Sequence, residues 1–360
     1  MADSSAATGL TVQQWDDKFF VEYLQSNLFS RYFGKSENSI IQVKEDLTKK
    51  KGDKVTFALI NKLVNDATTG TDTLEGNEED MVSRSHALTV NKRRNGVRVP
   101  EMDEQKSAIN LRDGARRTLL DWSMEDTRDQ VITALGSILG VTYADATEAN
   151  KDIWLADNTD RVLFGALKSN TSTTDHSASL ANIDNTADKL TPTALSLMKR
   201  LATQASPKIR PITVKGGKRF YVAFAGPRTF RDLKDNSTVT QAQREVSITM
   251  QNNKLFEGGD LQWDGIIIHE VDDIGVYTGV GASSIDVAPV YLCGAQAIGL
   301  GWAKRWRSAT EIFDYGDKFG VAIQSIMGIE KMTFGSGSDD TDDLKDHGVV
   351  TGYFAAVDDS

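Results

Sequence analysis

Two extended segments carry the clearest structural signal in the chain, KGDKVTFALINKL at residues 51–63 and SHALTVNKRRNGVRVPEMDE at residues 85–104. The turn signal Gly52-Asp53 opens the first segment, which predicts a strand. The intervening ATTGTDTLEGNEED, residues 67–80, is polar and contains glycine, as expected for the tip of an extended hairpin. Because such a hairpin has little core of its own, it is stable only when another surface supports it, and this implies a partner.

Opposite charges occupy separate points of this predicted hairpin. The tip carries Glu75, Glu78, Glu79 and Asp80, and the second segment carries Lys92, Arg93, Arg94 and Arg98. One interpretation is ordinary solvated charge on a loop, and the other is complementary pairing between copies of the chain. The second interpretation gives these candidates for the subunit interface: Glu78, Glu79, Arg93, Arg94 and Arg98.

The first 50 residues predict an amphipathic arm. In VQQWDDKFFVEYLQSNLFSRYFG, residues 12–34, apolar side chains recur near helical spacing. A stripe this large is buried either in the core of its own chain or against a neighbouring subunit, and both interpretations stay open. The second interpretation adds these candidate interface residues: Trp15, Phe19, Phe20, Tyr23 and Phe29.

The longest predicted helix lies in INLRDGARRTLLDWSMEDTRDQVITALGSIL, residues 109–139, where apolar residues recur three and four positions apart. Another helix is predicted at residues 191–205, where the cap residue Thr191 precedes Pro192 in the first turn. A short helix is predicted at residues 228–234.

Strand signals dominate the C-terminal half. Residues 212–226, ITVKGGKRFYVAFAG, predict a hairpin that turns at its two adjacent glycines. Residues 261–271 predict a strand entered from a turn. Two more strands are predicted at residues 314–334 and 347–358, on either side of the acidic loop 335–346. Together with the helices, these strands predict an α+β fold class.

Composition and charge limit the function classes. The chain has 360 residues, of which 39% are hydrophobic, and can bury a sizeable core. Its formal charge of -10 argues against the basic face that tight nucleic-acid binding needs, so contact with DNA is expected to be loose. No signal peptide or membrane segment is recognised, and we expect a soluble protein made in the cytoplasm. Cys293 is expected to be a buried structural thiol.

No catalytic, cofactor-binding or metal site is predicted. The four histidines are far apart, and none has a second ligand at a spacing typical of zinc sites. The GxG pairs at residues 279–281 and 299–301 do not continue into a phosphate-binding loop. The carboxylates of Glu270, Asp272 and Asp273 could bind a hard cation, but clustered carboxylates at a strand end are more often solvated.

Three runs resemble the major capsid proteins of N-four-like podophages and their relatives. They are LTVQQWDDKFFVEYLQSNLFSRYFG at residues 10–34, KKGDKVTFALINKL at residues 50–63, and LEGNEEDMVSRSHALTVNKRRNGVRVPEMDEQKSAINLRDGARRTLLDW at residues 74–122. The likeness extends from about residue 10 into the C-terminal strands. The order of arm, hairpin and helix is what makes this resemblance specific. No single motif in it is catalytic.

The resemblance implies the Hong Kong ninety-seven-type phage capsid fold. Matched by element, residues 1–50 would be the N-terminal arm, residues 51–106 the extended loop hairpin, and residues 107–190 the peripheral domain with its long spine helix. Residues 191–300 would form the axial domain, and residues 301–360 would return as strands to the peripheral domain.

The function implied by the resemblance is that of a major capsid protein, which self-assembles into hexamers and pentamers of an icosahedral head around packaged double-stranded DNA. The implied partners are other copies of the chain, a separate scaffolding protein, the portal protein and, optionally, a decoration protein, with no membrane. The protein would be found in the virion after assembly in the host cytoplasm. The alternatives are an encapsulin-like nanocompartment shell, a carboxylate-dependent hydrolase and a monomeric binding module.

Overall fold

The computed structural model describes residues 28–45, 47, 52–63, 65–70, 72–107, 110–172, 174–214, 217–245, 256–257 and 260–359. These residues divide into two compact units. Apart from Leu28, the described part of the smaller unit falls within residues 92–128 and 304–326, and that of the larger unit within residues 29–91, 129–303 and 327–360.

The elements have the following bounds. The α-helices are α1 (Glu101–Lys106), α2 (Leu111–Gly136), α3 (Glu148–Asp157), α4 (His176–Ala181), α5 (Pro192–Gln204), α6 (Pro227–Asp235) and α7 (Ser237–Glu245). The strands are β1 (Phe33–Gly34), β2 (Ile41–Lys44), β3 (Lys54–Ile60), β4 (Ser83–Thr89), β5 (Asn91–Pro100), β6 (Val162–Phe164), β7 (Ile212–Thr213), β8 (Arg219–Ala225), β9 (Phe256–Glu257), β10 (Asp260–Trp263), β11 (Ile266–Glu270), β12 (Val287–Cys293), β13 (Ile298–Phe313), β14 (Lys318–Lys331), β15 (Thr333–Gly335), β16 (Leu344–Asp346) and β17 (Val349–Ala355).

An eight-stranded sheet forms the centre of the larger unit, in the order β6-β17-β12-β8-β11-β10-β9 with β7 beside β8. The helix predicted at residues 191–205 is confirmed as α5, and the Thr191 side chain caps it by accepting a hydrogen bond from the Ala194 N–H at 3.2 Å. Its buried face, with Leu195 and Met198, joins the same apolar core as Phe354 of β17. Burial of this face, more than helix propensity, holds α5 on the sheet.

The sheet takes strands from several of the predicted segments. β17 pairs with β6 in parallel and with β12 in the antiparallel sense, so residues 107–190, 191–300 and 301–360 all contribute to it. All seven residues of β17 are buried, and a strand covered on both faces belongs inside a sheet. The sheet therefore contains strands from both sides of the domain boundaries predicted at 190/191 and 300/301.

Several predicted turns and strands are confirmed. β7 and β8 pair as the hairpin expected at residues 212–226. The segment at residues 261–271 is two paired strands, β10 and β11, joined at Asp264 and Gly265, which both have positive φ. The short strands β15 and β16 pair where the acidic loop at residues 335–346 begins and ends.

In the smaller unit, β5 lies beside β14, and β14 beside β13. The predicted long helix is confirmed as α2, which begins in this unit. Leu119, Val321 and Ile323 form an apolar core in the smaller unit. Trp122 packs edge-on against Trp306, with ring centroids 5.7 Å apart. Among the residues that the structure describes, no helix is both long and apolar enough to span a membrane.

The predicted extended hairpin is confirmed as β3 and β4, which pair from Lys54↔Thr89 to Ile60↔Ser83. The second predicted segment continues beyond it as β5, but β5 pairs with β14 and not with β3. The hairpin is therefore shorter than the predicted range 51–106.

Candidate assembly surfaces

The base of the β3–β4 hairpin is buried in the larger unit. Val55, Phe57 and Leu88 are at most 2% exposed. They pack on β13, where a Cβ added at Gly301 would lie 2.9 Å from Val55 Cγ2 and 3.0 Å from Leu88 Cδ2, and one added at Gly299 would lie 3.0 Å from Phe57 Cε2. Side chains at these two positions would displace the hairpin, so glycine is required by close approach.

Gly328 of β14 extends the same surface, because a Cβ added there would lie 2.6 Å from Leu88 Cδ2 and would also meet the Thr89 carbonyl. We call Gly299, Gly301 and Gly328 the glycine seat. The GxG pair at residues 299–301, which the sequence leaves without a role, therefore serves packing.

The far half of the hairpin is exposed, unlike its base. We call Ile60, Leu63, Leu74 and Met81 the distal apolar patch, and these side chains are 63–68% exposed. Large apolar side chains that one part of a fold leaves exposed are typical of interaction surfaces. Sequence reasoning missed them because they share no period, and because Leu63 and Leu74 stand singly among polar residues.

The acidic residues of the tip make local contacts. Glu78 accepts a hydrogen bond from the Gly76 N–H at 2.7 Å, and Glu79 accepts one from the Asn65 N–H at 2.8 Å. Both carboxylates therefore order the tip of the hairpin. Their part in a subunit interface stays a prediction.

The second strand of the hairpin is held to the acidic loop of its own unit. The Ser85 hydroxyl donates to Asp340 Oδ2 at 2.7 Å, and the Arg84 guanidinium donates to the Gly337 carbonyl at 2.5 Å. Glu330 accepts a further hydrogen bond from the Thr89 N–H at 3.2 Å. These bonds hold β4 along its length, from Thr89 at the base of the hairpin to Arg84 near the far end of the strand pair.

The predicted basic cluster lies on β5 and has separate contacts in the smaller unit. Arg93 donates two hydrogen bonds to Asp126 of α2, the one from Nε to Oδ2 at 2.7 Å. The Arg98 guanidinium lies over the Phe313 ring, 4.5 Å from its centroid. Arg94 is exposed. Arg93 and Arg98 thus stabilise their own unit, and an interface role for all three residues stays a prediction.

A further exposed surface lies at the turn between β13 and β14. Ile312 is 67% exposed, and Tyr315 is fully exposed on the turn that joins the two strands. Met102 of α1, in the same unit, is also exposed. No sequence signal distinguished these residues, because exposed strand ends and turns do not share a periodicity.

The candidates in the N-terminal arm have two different outcomes. Trp15, Phe19, Phe20 and Tyr23 lie outside the described residues. The Phe29 side chain is fully buried by its own chain, with its ring 4.8 Å from that of Phe224, which favours the core interpretation for this residue; its part in an interface stays a prediction.

Several side chains considered above as candidates for catalysis or metal binding are paired or buried within the fold. Glu270 pairs with Lys234, with Oε2 and Nζ 3.2 Å apart. Burial raises the pKa of the Cys293 thiol, as expected for a structural cysteine. Burial also lowers the pKa of His176 and of His347 to about 4, so both rings are neutral at pH 7.

Comparison with known proteins gives consistent matches. The family model described as phage capsid protein matches residues 4–357. The major capsid protein of Pseudomonas phage KPP25 is 29% identical over 374 residues, which cover 95% of this chain and 94% of that protein.

Solved structures show the same relation. The capsid asymmetric unit of cyanophage Pam1 matches with a TM-score of 0.87 and 34% identity, over 100% of both chains. The capsid of Ralstonia phage GP4 matches with a TM-score of 0.77 and 23% identity, also over 100% of both chains. These matches confirm the predicted α+β phage capsid fold. Since the family match covers almost the entire sequence, the chain belongs to the phage capsid protein family.

Proposed function

We propose that this phage capsid protein is the major subunit of its shell and forms hexamers and pentamers that close into an icosahedral head around packaged double-stranded DNA. One contrast carries the proposal. The base of the β3–β4 hairpin is buried on the glycine seat, whereas the distal apolar patch is exposed. In the shell, we propose, this patch lies on a neighbouring subunit.

The energetics of such a contact suit assembly. Burying a large apolar side chain contributes roughly 1.5–3 kcal/mol, so the patch supplies a few kcal/mol even when part of that is offset by lost chain entropy. Each subunit would both provide one hairpin and receive another. Weak contacts repeated around each subunit hold a closed shell while still allowing misplaced subunits to dissociate.

The same proposal includes partners and location. A separate scaffolding protein would guide assembly, the portal protein would occupy one vertex, and a decoration protein is an optional addition. Packaged DNA would contact the acidic subunit loosely and without specificity. We propose a structural and not a catalytic role, in a virion of a podophage assembled in the host cytoplasm.

The test is electron microscopy with sedimentation of the full chain, expressed with and without the scaffolding protein of its phage. Closed shells, or rings of five and six subunits, are expected. A monomer or dimer under every condition would overturn the proposal, and shells that enclose protein cargo in place of DNA would favour an encapsulin-like compartment.

A further inference from the structure

The strand β13 has an open edge in the smaller unit. β14 lies along one side of β13, and β2 pairs with the other side from Ile298 to Gly301. Beyond Gly301, no strand of the described residues pairs with that second side. Residues 306–312, which we call the edge segment, lie wholly in the smaller unit, and their backbone therefore faces this side without a partner strand from the described chain.

The edge segment also lacks the usual protection of a free edge. Every residue from 307 to 312 is exposed, so neither face of this part of β13 is covered. Folded proteins commonly protect a long edge with proline, lysine or a glycine bulge, because an open edge pairs readily with another strand. The edge segment, WRSATEI, contains none of these residues. These observations indicate a strand that accepts a further strand beside it.

One face of the edge segment is complementary to a second copy of itself. When two copies lie antiparallel with Ala309 opposite Ala309, Arg307 of each copy lies opposite Glu311 of the other. Both side chains are exposed, and neither forms an ion pair with another described residue. Opposite charges directly across two strands stabilise their pairing, and the symmetry of the contact supplies this pair twice.

The other face is complementary in the same register. Trp306 of one copy lies opposite Ile312 of the other, and Ser308 lies opposite Thr310. An aromatic ring beside a β-branched side chain and a pair of hydroxyl side chains are both favourable neighbours across strands. Ile312 is 67% exposed in the single chain, and the ring of the second copy would cover it.

The neighbouring registers lack this match. Centring the contact on Ser308 would place Ile312 opposite the charged Lys304. Centring it on Thr310 would leave Glu311 opposite a small apolar residue. Of the three registers, the one centred on position 309 pairs both the opposite charges and the two large apolar side chains, so the side chains specify the register.

We propose that the edge segment pairs with the edge segment of a second copy, antiparallel and across a two-fold axis at Ala309, so that the two sheets become one. The place of this contact in a shell rests on the proposed function. Neighbouring subunits of a ring of five or six are not related by a two-fold axis, so the contact would join one ring to the next. It is separate from the contact proposed for the distal apolar patch.

The test places a cysteine on the two-fold axis. Directly opposite residues of antiparallel strands have Cα atoms about 4.5–5.5 Å apart, a separation that a disulfide can span. Mild oxidation of the full chain carrying Ala309→Cys should therefore yield linked pairs of subunits on non-reducing electrophoresis. The measurement is made on concentrated unassembled subunit and on assembled particles. The native Cys293 is buried and should not interfere.

The matched control is Ile312→Cys. Position 312 is highly exposed, so random collisions would link it readily. In the proposed register, however, the two copies of this position lie about 20 Å apart, because six residues of extended strand separate them. We expect Ala309→Cys to form several-fold more linked pairs than Ile312→Cys.

Charge reversal tests the register. In the chain carrying Ala309→Cys, either Arg307→Glu or Glu311→Arg alone places two pairs of like charges across the contact, which should lower linkage by about tenfold. Combining the two reversals should restore linkage. Mixing the two single variants should also restore it, because the acidic edge of one then meets the basic edge of the other. Melting temperatures show that each variant is folded.

Four results would each overturn the inference. Three of them are equal linkage in Ala309→Cys and Ile312→Cys, single reversals that link as well as the unaltered edge, and a mixture of the single reversals that does not recover linkage. The fourth is an absence of linkage together with slow hydrogen exchange at the amides of the edge segment, which would show that another part of the same chain covers this edge.

The outcome for the shell is separate. Rings of five and six subunits that form without this linkage would overturn the inference and leave the proposed function standing. Linked pairs with the predicted charge dependence, but without rings or shells under any condition, would support the inference and overturn the proposed function.

Discussion

The absence of a side chain at Gly301 lets the β3–β4 hairpin pack closely on β13. In Gly301→Ala the new Cβ would lie within about 3 Å of Val55 and Leu88 side-chain atoms, and we expect a loss of about 1–3 kcal/mol of unfolding free energy. Gly275→Ala is the control, because a Cβ there meets nothing within 4 Å. Urea denaturation of the unassembled subunit measures the unfolding free energy of both variants. Equal values for the two would contradict the packing role of the glycine seat.

Lys331 and Asp346 form a buried ion pair, with Nζ and Oδ2 2.7 Å apart and both side chains at most 3% exposed. The Trp154 Nε1–H donates to the same oxygen at 3.2 Å. Lys331→Met leaves the carboxylate with too few partners and should cost about 3–5 kcal/mol of unfolding free energy.

The control for this change is Lys345→Met. Lys345 pairs with Asp160 at 3.8 Å where both side chains are more than 20% exposed, and its loss should cost about 1 kcal/mol or less. Denaturation curves with a similar small shift for both variants would show that burial does not distinguish the two pairs.

His347 makes the stability of the subunit dependent on pH. Burial, and then the positive charges of Arg161 and Arg210, lowers its pKa from 6.5 to about 4. The unfolded chain therefore binds a proton at a higher pH than the folded chain does. The stabilising contribution is complete above pH 6.5 and is lost as the pH falls from 6.5 towards 4.

We expect the melting temperature of the unassembled subunit to fall across this window, and to fall less steeply in His347→Gln. His176 has a similarly lowered pKa and accounts for part of the slope that remains. An identical slope in the variant and the unaltered chain would show that His347 is not responsible.

At the scale of elements, substitutions in different parts of the β3–β4 hairpin should change either the stability of the subunit or the assembly of the shell. A variant with Leu63→Ser, Leu74→Ser and Met81→Ser should keep the melting temperature of the subunit within about 2 °C, because surface substitutions change stability by less than about 0.5 kcal/mol. The same variant should lose closed shells in electron microscopy.

Phe57→Ala is the opposite case on the same hairpin. Its ring is 1% exposed, so truncation should cost about 3–5 kcal/mol and lower the melting temperature before assembly is considered. Normal shells from the serine variant would contradict the proposed contact of the distal apolar patch.

Local sequence patterns predicted elements better than their partners. The spacing of apolar residues in α2 and the cap of α5 are short-range signals, and both helices were predicted to within a few residues. Only Val90 separates β4 from β5, yet β4 pairs with β3 and β5 lies beside β14. Alternation along a strand shows which side is buried but not which strand is its neighbour.

The candidate surfaces were harder to predict than the fold. Phe29 shares the aromatic character of the arm, but it fills a space beside Phe224, far along the sequence. The side chains of the distal apolar patch are identified only by their exposure in the folded hairpin. Sequence reasoning therefore selected charged residues, and several of these are engaged within their own unit.

For the whole molecule, the net charge of -10 predicts weak binding to DNA. We expect no complex between the subunit and double-stranded DNA in anisotropy titrations at about 0.15 M salt, where charges more than about 8 Å apart are largely screened. Micromolar or tighter binding that falls steeply with salt would instead show a basic face strong enough to overcome the net charge.

The glycine seat also affects how variation among related sequences should be interpreted. Positions 299, 301 and 328 should reject nearly every substitution in a mutational library, while the polar tip should tolerate many. An invariant Gly-x-Gly is commonly taken as the mark of a nucleotide-binding loop, but here the same pattern would be preserved by steric fit to a hairpin. A motif search that ignores what the glycines contact would therefore assign this chain a ligand that it has no means of binding there.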